Sequence, residues 1–239
     1  MSKLLKYYIA IMGVFIAPRL MAQDHENFWF RSTITTPIND KLKLDNEFQY
    51  RRQNGFENNN MFDKDLMISY RNWIHYQYNE AFKFSLSPFS YFSAHKIINQ
   101  QSDELAAANK EIRSSAAVEF HNTIHNNWVF ISRSAFEYRI FLNQSSNIIR
   151  FRSRVGLQYV LNKHQKLSIH DEPLLNLSGV SDRHIFDHNR IGINLESKLL
   201  ENLKVDVGYM RVSRLPLNNT TYVKENNLTL SLNYLMPSL

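Results

Sequence analysis

The stretch LKLDNEFQYRRQ, residues 42–53, decides how this chain is read. Leu42, Leu44, Phe48 and Tyr50 share one parity, while Lys43, Asp45, Glu47, Gln49 and Arg51 share the other. Successive side chains of a strand point to opposite faces, so the alternation specifies a strand with one apolar and one charged face. The same pattern returns along the chain. Ile149, Phe151, Val155, Leu157 and Tyr159 oppose Arg150, Arg152, Arg154 and Gln158. Ile191, Ile193 and Leu195 oppose Arg190, Asn194 and Glu196; Leu228, Leu230, Leu232 and Tyr234 oppose Asn227, Thr229, Ser231 and Asn233.

Two architectures use two-faced strands. A soluble sandwich or lipocalin-like barrel turns the apolar face inward, whereas a transmembrane barrel turns it outward and lines its lumen with the polar face. Three features favour the second. The segments are near the length a tilted spanning strand needs. Their polar faces carry charges of both signs. Short and long connections also alternate: short joints at 37–41, 79–80, 125–127, 162–165 and 200–202, longer polar stretches at 54–60, 93–110, 142–147, 178–187 and 216–226. Outer-membrane barrels have short periplasmic turns and longer external loops, so the long set is expected outside. The stretch 102–110 leaves room for a short helical turn.

Strands are expected near 28–36, 41–53, 61–78, 81–92, 111–124, 128–141, 148–161, 166–177, 188–199, 203–215 and 226–236. A single-chain bacterial barrel is expected to have an even number. The fold expectation is therefore all-β, a single antiparallel transmembrane β-barrel of about ten to twelve strands. Either a strand is missed, or 28–36 joins in an unusual way and ten strands close the barrel.

The chain has 239 residues and no cysteine, which removes disulfides, thiolate metal sites, cysteine nucleophiles and the lipid-attachment cysteine of a lipoprotein. Residues 1–22 read as a signal peptide, with Lys3 and Lys6 before the apolar run 7–17 and a cut expected after Ala22. Residues 23–239 then form the barrel domain. The leader carries Lys3, Lys6 and Arg19 and no acid, so removing it lowers the net charge of +6 by three. A nucleic-acid partner loses its main support there. The expected surroundings are outer-membrane lipid, with periplasmic chaperones and the barrel-assembly machinery during biogenesis.

The candidate site is the charged face. Arg51, Arg133, Arg139, Arg150, Arg152, Arg154 and Arg190 are expected to meet Glu47, Glu119, Glu137, Glu172 and Glu196 inside the lumen. One reading is a charged constriction that selects solutes. The other is a structural network, because a small barrel is filled mostly by side chains and buried charges must pair. That favours a filled interior over a wide general porin. The segment 182–188, DRHIFDH, is the densest titratable cluster, and Asp187 with His188 or His184 offers an alternative: a hydrolase or acyltransferase site at the outer rim. No serine constellation accompanies it, so no catalytic residue is assigned, and no cofactor or metal is expected. His121, His125, His164 and His170 read as lumen or turn residues. Trp29, Trp73, Trp128 and the tyrosines near strand ends fit an interfacial aromatic belt. No Gly-rich phosphate loop, zinc motif or nucleophile elbow occurs.

From about Phe28 to Tyr234 the order of these pieces resembles the outer-membrane barrel family called domain of unknown function 2490. The carrying residues are Trp29, Glu47-x-x-x-Arg51, Arg133-x-x-x-Glu137-x-Arg139, Arg150-x-Arg152-x-Arg154, Asp171-Glu172, Phe186-Asp187-x-Asn189-Arg190 before Gly192, and Gly208-Tyr209-Met210. Leu239 departs from the aromatic end of typical barrel assembly signals. The resemblance implies a β-barrel in the outer membrane and brings no established activity. The expected role is a narrow channel or interaction barrel, not an enzyme; the rim enzyme is the alternative from another class, and a soluble periplasmic binding barrel is a third.

Overall fold

The computed structural model describes residues 25–143, 146–216 and 222–237. The expected signal peptide and Leu239 lie outside the described residues. Eleven strands follow one another: β1 (His25–Pro37), β2 (Leu42–Gln53), β3 (Lys64–Gln77), β4 (Phe82–Ala94), β5 (Asn109–His125), β6 (Trp128–Phe141), β7 (Ile148–Asn162), β8 (Gln165–Asn176), β9 (Phe186–Leu200), β10 (Leu203–Arg214) and β11 (Val223–Leu235). Each pairs with its chain neighbour in antiparallel fashion, and β1 pairs with β11 to close the barrel. Short turns at 38–41, 78–81, 126–127, 163–164 and 201–202 lie at one end. The connections at the other end include 54–63, 95–108 and 177–185, and the second of these holds a 3-10 turn at Gln101–Leu105.

The closing pair is parallel, which departs from the even, fully antiparallel rule. The reason is topological. Strands joined by hairpins alternate in direction, so the first and last of an odd set point the same way. The segment 28–36 is thus a full member of the wall and no ten-strand closure forms. A buried polar rung accompanies the backbone ladder at this seam. Asn27 Nδ2 donates to Asn227 Oδ1 and to Glu225 Oε2, each at 3.0 Å, and all three side chains are fully buried.

Parity survives closure. Ile34, Phe48, Ile68, Phe84, Phe136, Ile169 and Ile191 stand on the outside, each at least 44% exposed. Glu137, Arg150, Arg152, Glu172 and Glu225 are buried inside. The apolar face therefore points outward, the reverse of the soluble-barrel alternative. Rings gather on the outer surface toward the short turns: Phe82 packs tilted against Phe120 with centres 5.0 Å apart, and Trp128 against Tyr159 at 4.9 Å. Trp29 and Trp73 do not join them. Both share parity with the charged residues of β1 and β3, and both are buried inside, so only Trp128 of the three tryptophans fits the expected belt.

Two local devices keep the faces in register. Pro88 lacks an N–H, and β4 bulges between Ser87 and Ser90, whose hydroxyls lie 2.9 Å apart. His170 sits opposite Gly156 on one side and Gly192 on the other. A Cβ at Gly192 would come within 2.5 Å of the His170 ring, so glycine there makes room for the imidazole.

Candidate functional site

The charged face of the sequence becomes the lumen wall, and register decides which charges meet. Glu137 faces Arg150 across β6 and β7, Glu119 faces Arg133 across β5 and β6, and Glu172 faces Arg190 across β8 and β9. Arg150 reaches Glu137 at 2.5 Å and Asp187 at 2.8 Å. Arg152 spans Glu137 at 3.3 Å and Glu172 at 2.5 Å. Glu172 also holds Arg154 and Arg190, each at 3.3 Å. Arg139 donates to Glu111 at 2.7 and 3.0 Å; Arg113 pairs with the same carboxylate and lies 3.7 Å from Glu137. Glu137, Arg139, Arg150, Arg152, Arg154, Glu172 and Arg190 thus belong to one connected network.

Other expected members stand apart. Glu119 and Arg133 form an island at 3.0 Å, with Lys83 also 3.0 Å from Glu119. Glu47 lies 3.9 Å from Arg31 and accepts from Gln49 at 2.6 Å. Arg51 donates to Gln49 at 2.8 Å and stacks 3.6 Å above the Trp29 ring centre. Glu196 meets Lys204 at 3.3 Å and, among the described residues, no arginine.

Asp187 and His188 are wall residues, not rim loop residues. A register shift opposite Leu174 and Leu175 buries both. His188 Nδ1 lies 3.1 Å from Asp187 Oδ2, off the line of a hydrogen bond, and Asp187 is already held by Arg150. His184 stays exposed in a 3-10 turn, where Ser181 Oγ is 2.9 Å from its Nδ1. The three groups do not converge. No cluster of three metal-ligating side chains occurs among the described residues.

Pairing does not fill the lumen. A cavity of about 1160 Å³ remains, reaching from Asn99 and Asp103 at the long-loop end to Asp45, His75 and Asn233. Asp45, His75 and Asn233 also line a second space of about 400 Å³ beside Lys41 and Glu201 at the short-turn end. This corrects the expectation of an interior filled by side chains. Thirteen Arg and Lys against seven Asp and Glu line the larger cavity, so the space is net positive. The loop 95–108 leans over its mouth: Asn99 is 3.1 Å from His25, and Gln53 donates to Lys96 O at 2.9 Å. Glu104 accepts the Phe56 N–H at 2.9 Å and pairs with Lys64 at 3.3 Å. That backbone hydrogen bond, with the Lys64 charge behind it, holds the Glu104 carboxyl below its usual range.

Glu111, Arg113 and Arg71 were absent from the expected set although their signal was present. Glu111 and Arg113 share the parity of Glu119 on β5, and Arg71 alternates with the outward Tyr70. Asp187 gave no such signal, because the shift at the start of β9 breaks the alternation.

A closed all-β barrel with a polar lumen is the porin-like class of fold. The solved structure of the NanC porin in a rhombohedral crystal form is similar, with a TM-score of 0.54 at 7% identity, covering 88% of this chain and 98% of the porin chain. No curated protein matches the sequence. The model of the family described as "Protein of unknown function (DUF2490)" matches residues 26–222, and the chain belongs to that family.

Proposed function

We propose that this protein is an outer-membrane barrel that passes small hydrophilic solutes through a narrow, charge-lined lumen without catalysing a reaction. The observation that carries the reading is the inverted surface: apolar side chains outside, ion pairs and a cavity inside. Apolar patches of that extent on a soluble monomer mark an interaction surface, and here they encircle the barrel as a lipid-facing belt does. The porin-like fold supports the same reading.

In this arrangement residues 1–22 direct export and are removed, the short turns face the periplasm, and the long connections face outward. Outer-membrane lipid surrounds the belt, and periplasmic chaperones with the assembly machinery deliver the chain. The ranked charges make the path selective and not wide, since permeants must pass guanidinium and carboxylate groups fixed along the wall.

Planar-bilayer reconstitution tests the proposal. Small, ion-dependent conductance steps are expected from protein whose heat-modifiable gel migration confirms folding. Folded protein with no conductance in any salt would refute passage and leave an interaction role. Recovery of the native protein in the soluble periplasmic fraction would refute the location.

A further inference from the structure

Three rings inside the barrel are each shared by two arginines. Trp29 carries Arg51 at 3.6 Å and Arg190 at 5.6 Å from its centre. Trp73 carries Arg133 at 4.7 Å and Arg71 at 5.2 Å, and Phe92 carries Arg113 at 3.8 Å and Arg71 at 5.1 Å. Arg71 therefore links two of these rings. Its counter-charge, Glu47, stands opposite it across β2 and β3 without touching it. Arg113 and Arg133 reach Glu111 and Glu119, whereas no Asp or Glu among the described residues lies within 4 Å of Arg71. Its side chain is buried, at 6% exposure, its Nε has no hydrogen-bond partner, and it lines the large cavity.

A ring face attracts a cation but does not neutralise it. Two guanidinium groups brought to one ring repel each other, and a buried charge that no carboxylate touches is only partly compensated. An arginine fork matches a planar or tetrahedral oxyanion in two parallel hydrogen bonds. From this arrangement we infer that the lumen contains a binding site for a small oxyanion, a carboxylate or phosphate group, centred on Arg71 and flanked by Arg113 and Arg133. The aromatic rings fix the direction of the forks, and the cavity supplies the room. The site stands apart from passage of solutes: it binds whether or not the anion crosses.

The test uses full-length mature protein folded in detergent at low chloride, with inorganic phosphate and malonate as separate probes. Calorimetry and tryptophan fluorescence should show saturable binding of at least one probe, weakened by about tenfold or more in Arg71→Gln. The bound probe should also raise the wild-type unfolding midpoint. A purely structural Arg71 predicts no saturable binding in either protein, whatever the midpoint of Arg71→Gln. Absence of saturable binding to wild-type protein overturns the site, and that arm stands even if Arg71→Gln fails to fold. Binding unchanged in a folded Arg71→Gln also overturns it. Conductance in bilayers without binding removes this site and leaves the channel; binding without conductance does the reverse.

Discussion

Replacing Glu172 by Gln isolates the contribution of charge to the lumen network, because the two side chains have nearly the same shape. Glu172 accepts from Arg152 Nε at 3.0 Å and Nη2 at 2.5 Å on one oxygen. Its other oxygen accepts from Arg154 and Arg190, both at 3.3 Å. The side chain is 2% exposed, so bulk water does not screen these contacts. Gln keeps one acceptor and turns an amide N–H group toward guanidinium donors, leaving three arginines without their shared charge. Removing one partner of a buried pair costs about 3–5 kcal/mol. Water in the neighbouring cavity resolvates part of the freed charge, so the lower end, about 3 kcal/mol, is the expected loss. Glu196→Gln is the control: its partner Lys204 is 45% exposed, and such pairs contribute about 0–1 kcal/mol. Urea unfolding of lipid-folded protein, followed by tryptophan fluorescence, measures both. Equal losses for the two variants, or less than about 1 kcal/mol for Glu172→Gln, would refute the claim that buried pairing holds the lumen together.

Gly192→Ala should destabilise the barrel by about 1–3 kcal/mol, since its methyl group meets the His170 ring at 2.5 Å; His170→Ala in the same chain should recover most of that loss, and a double variant no better than Gly192→Ala would contradict the steric account. Ile169→Arg, on the outside of β8 and 53% exposed, should cost about 2–4 kcal/mol in lipid. An effect within about 0.5 kcal/mol would instead mark a solvated surface. The contact between Glu104 and the Phe56 N–H should depend on pH. The Glu104 carboxyl is held below its usual range in the folded state, so the docked loop is favoured above the ordinary carboxylate range and loses this support as pH falls through the lowered one. Hydrogen exchange at Phe56 should therefore speed up in acid relative to an undocked reference amide, and Glu104→Gln should abolish that pH dependence while leaving the barrel folded.

The alternation in residues 42–53 was enough to name the strand and its two faces, but a period of two is blind to inside and outside. A soluble barrel and a membrane barrel write the same pattern. What distinguishes them is the face the closed barrel turns outward, and here the exposed side chains of the strands are the apolar ones. Strand number was legible to within one; the parallel seam was not. Asn27 and Asn227 are 200 residues apart, and no local pattern on either strand announces that they meet.

Site residues were legible to the extent that parity alone fixes a side chain's direction. Glu137, Arg150, Arg152 and Glu172 fell inside because their strands alternate without interruption, and the same reasoning, extended along β3 and β5, reaches Arg71, Glu111 and Arg113. What parity cannot supply is register. Trp29 faces Arg51, whereas Glu137 faces Arg150; both are tryptophan–arginine or glutamate–arginine neighbours only because of how far each strand has slid past the next. A slip of one residue would turn every side chain of a strand to the other face, and a slip of two would keep the faces and exchange the partners. Which carboxylate and which aromatic ring each lumen arginine meets is therefore a property of the closed barrel. It explains why a charge-rich face could be read from the sequence while the rings that Arg71 touches could not.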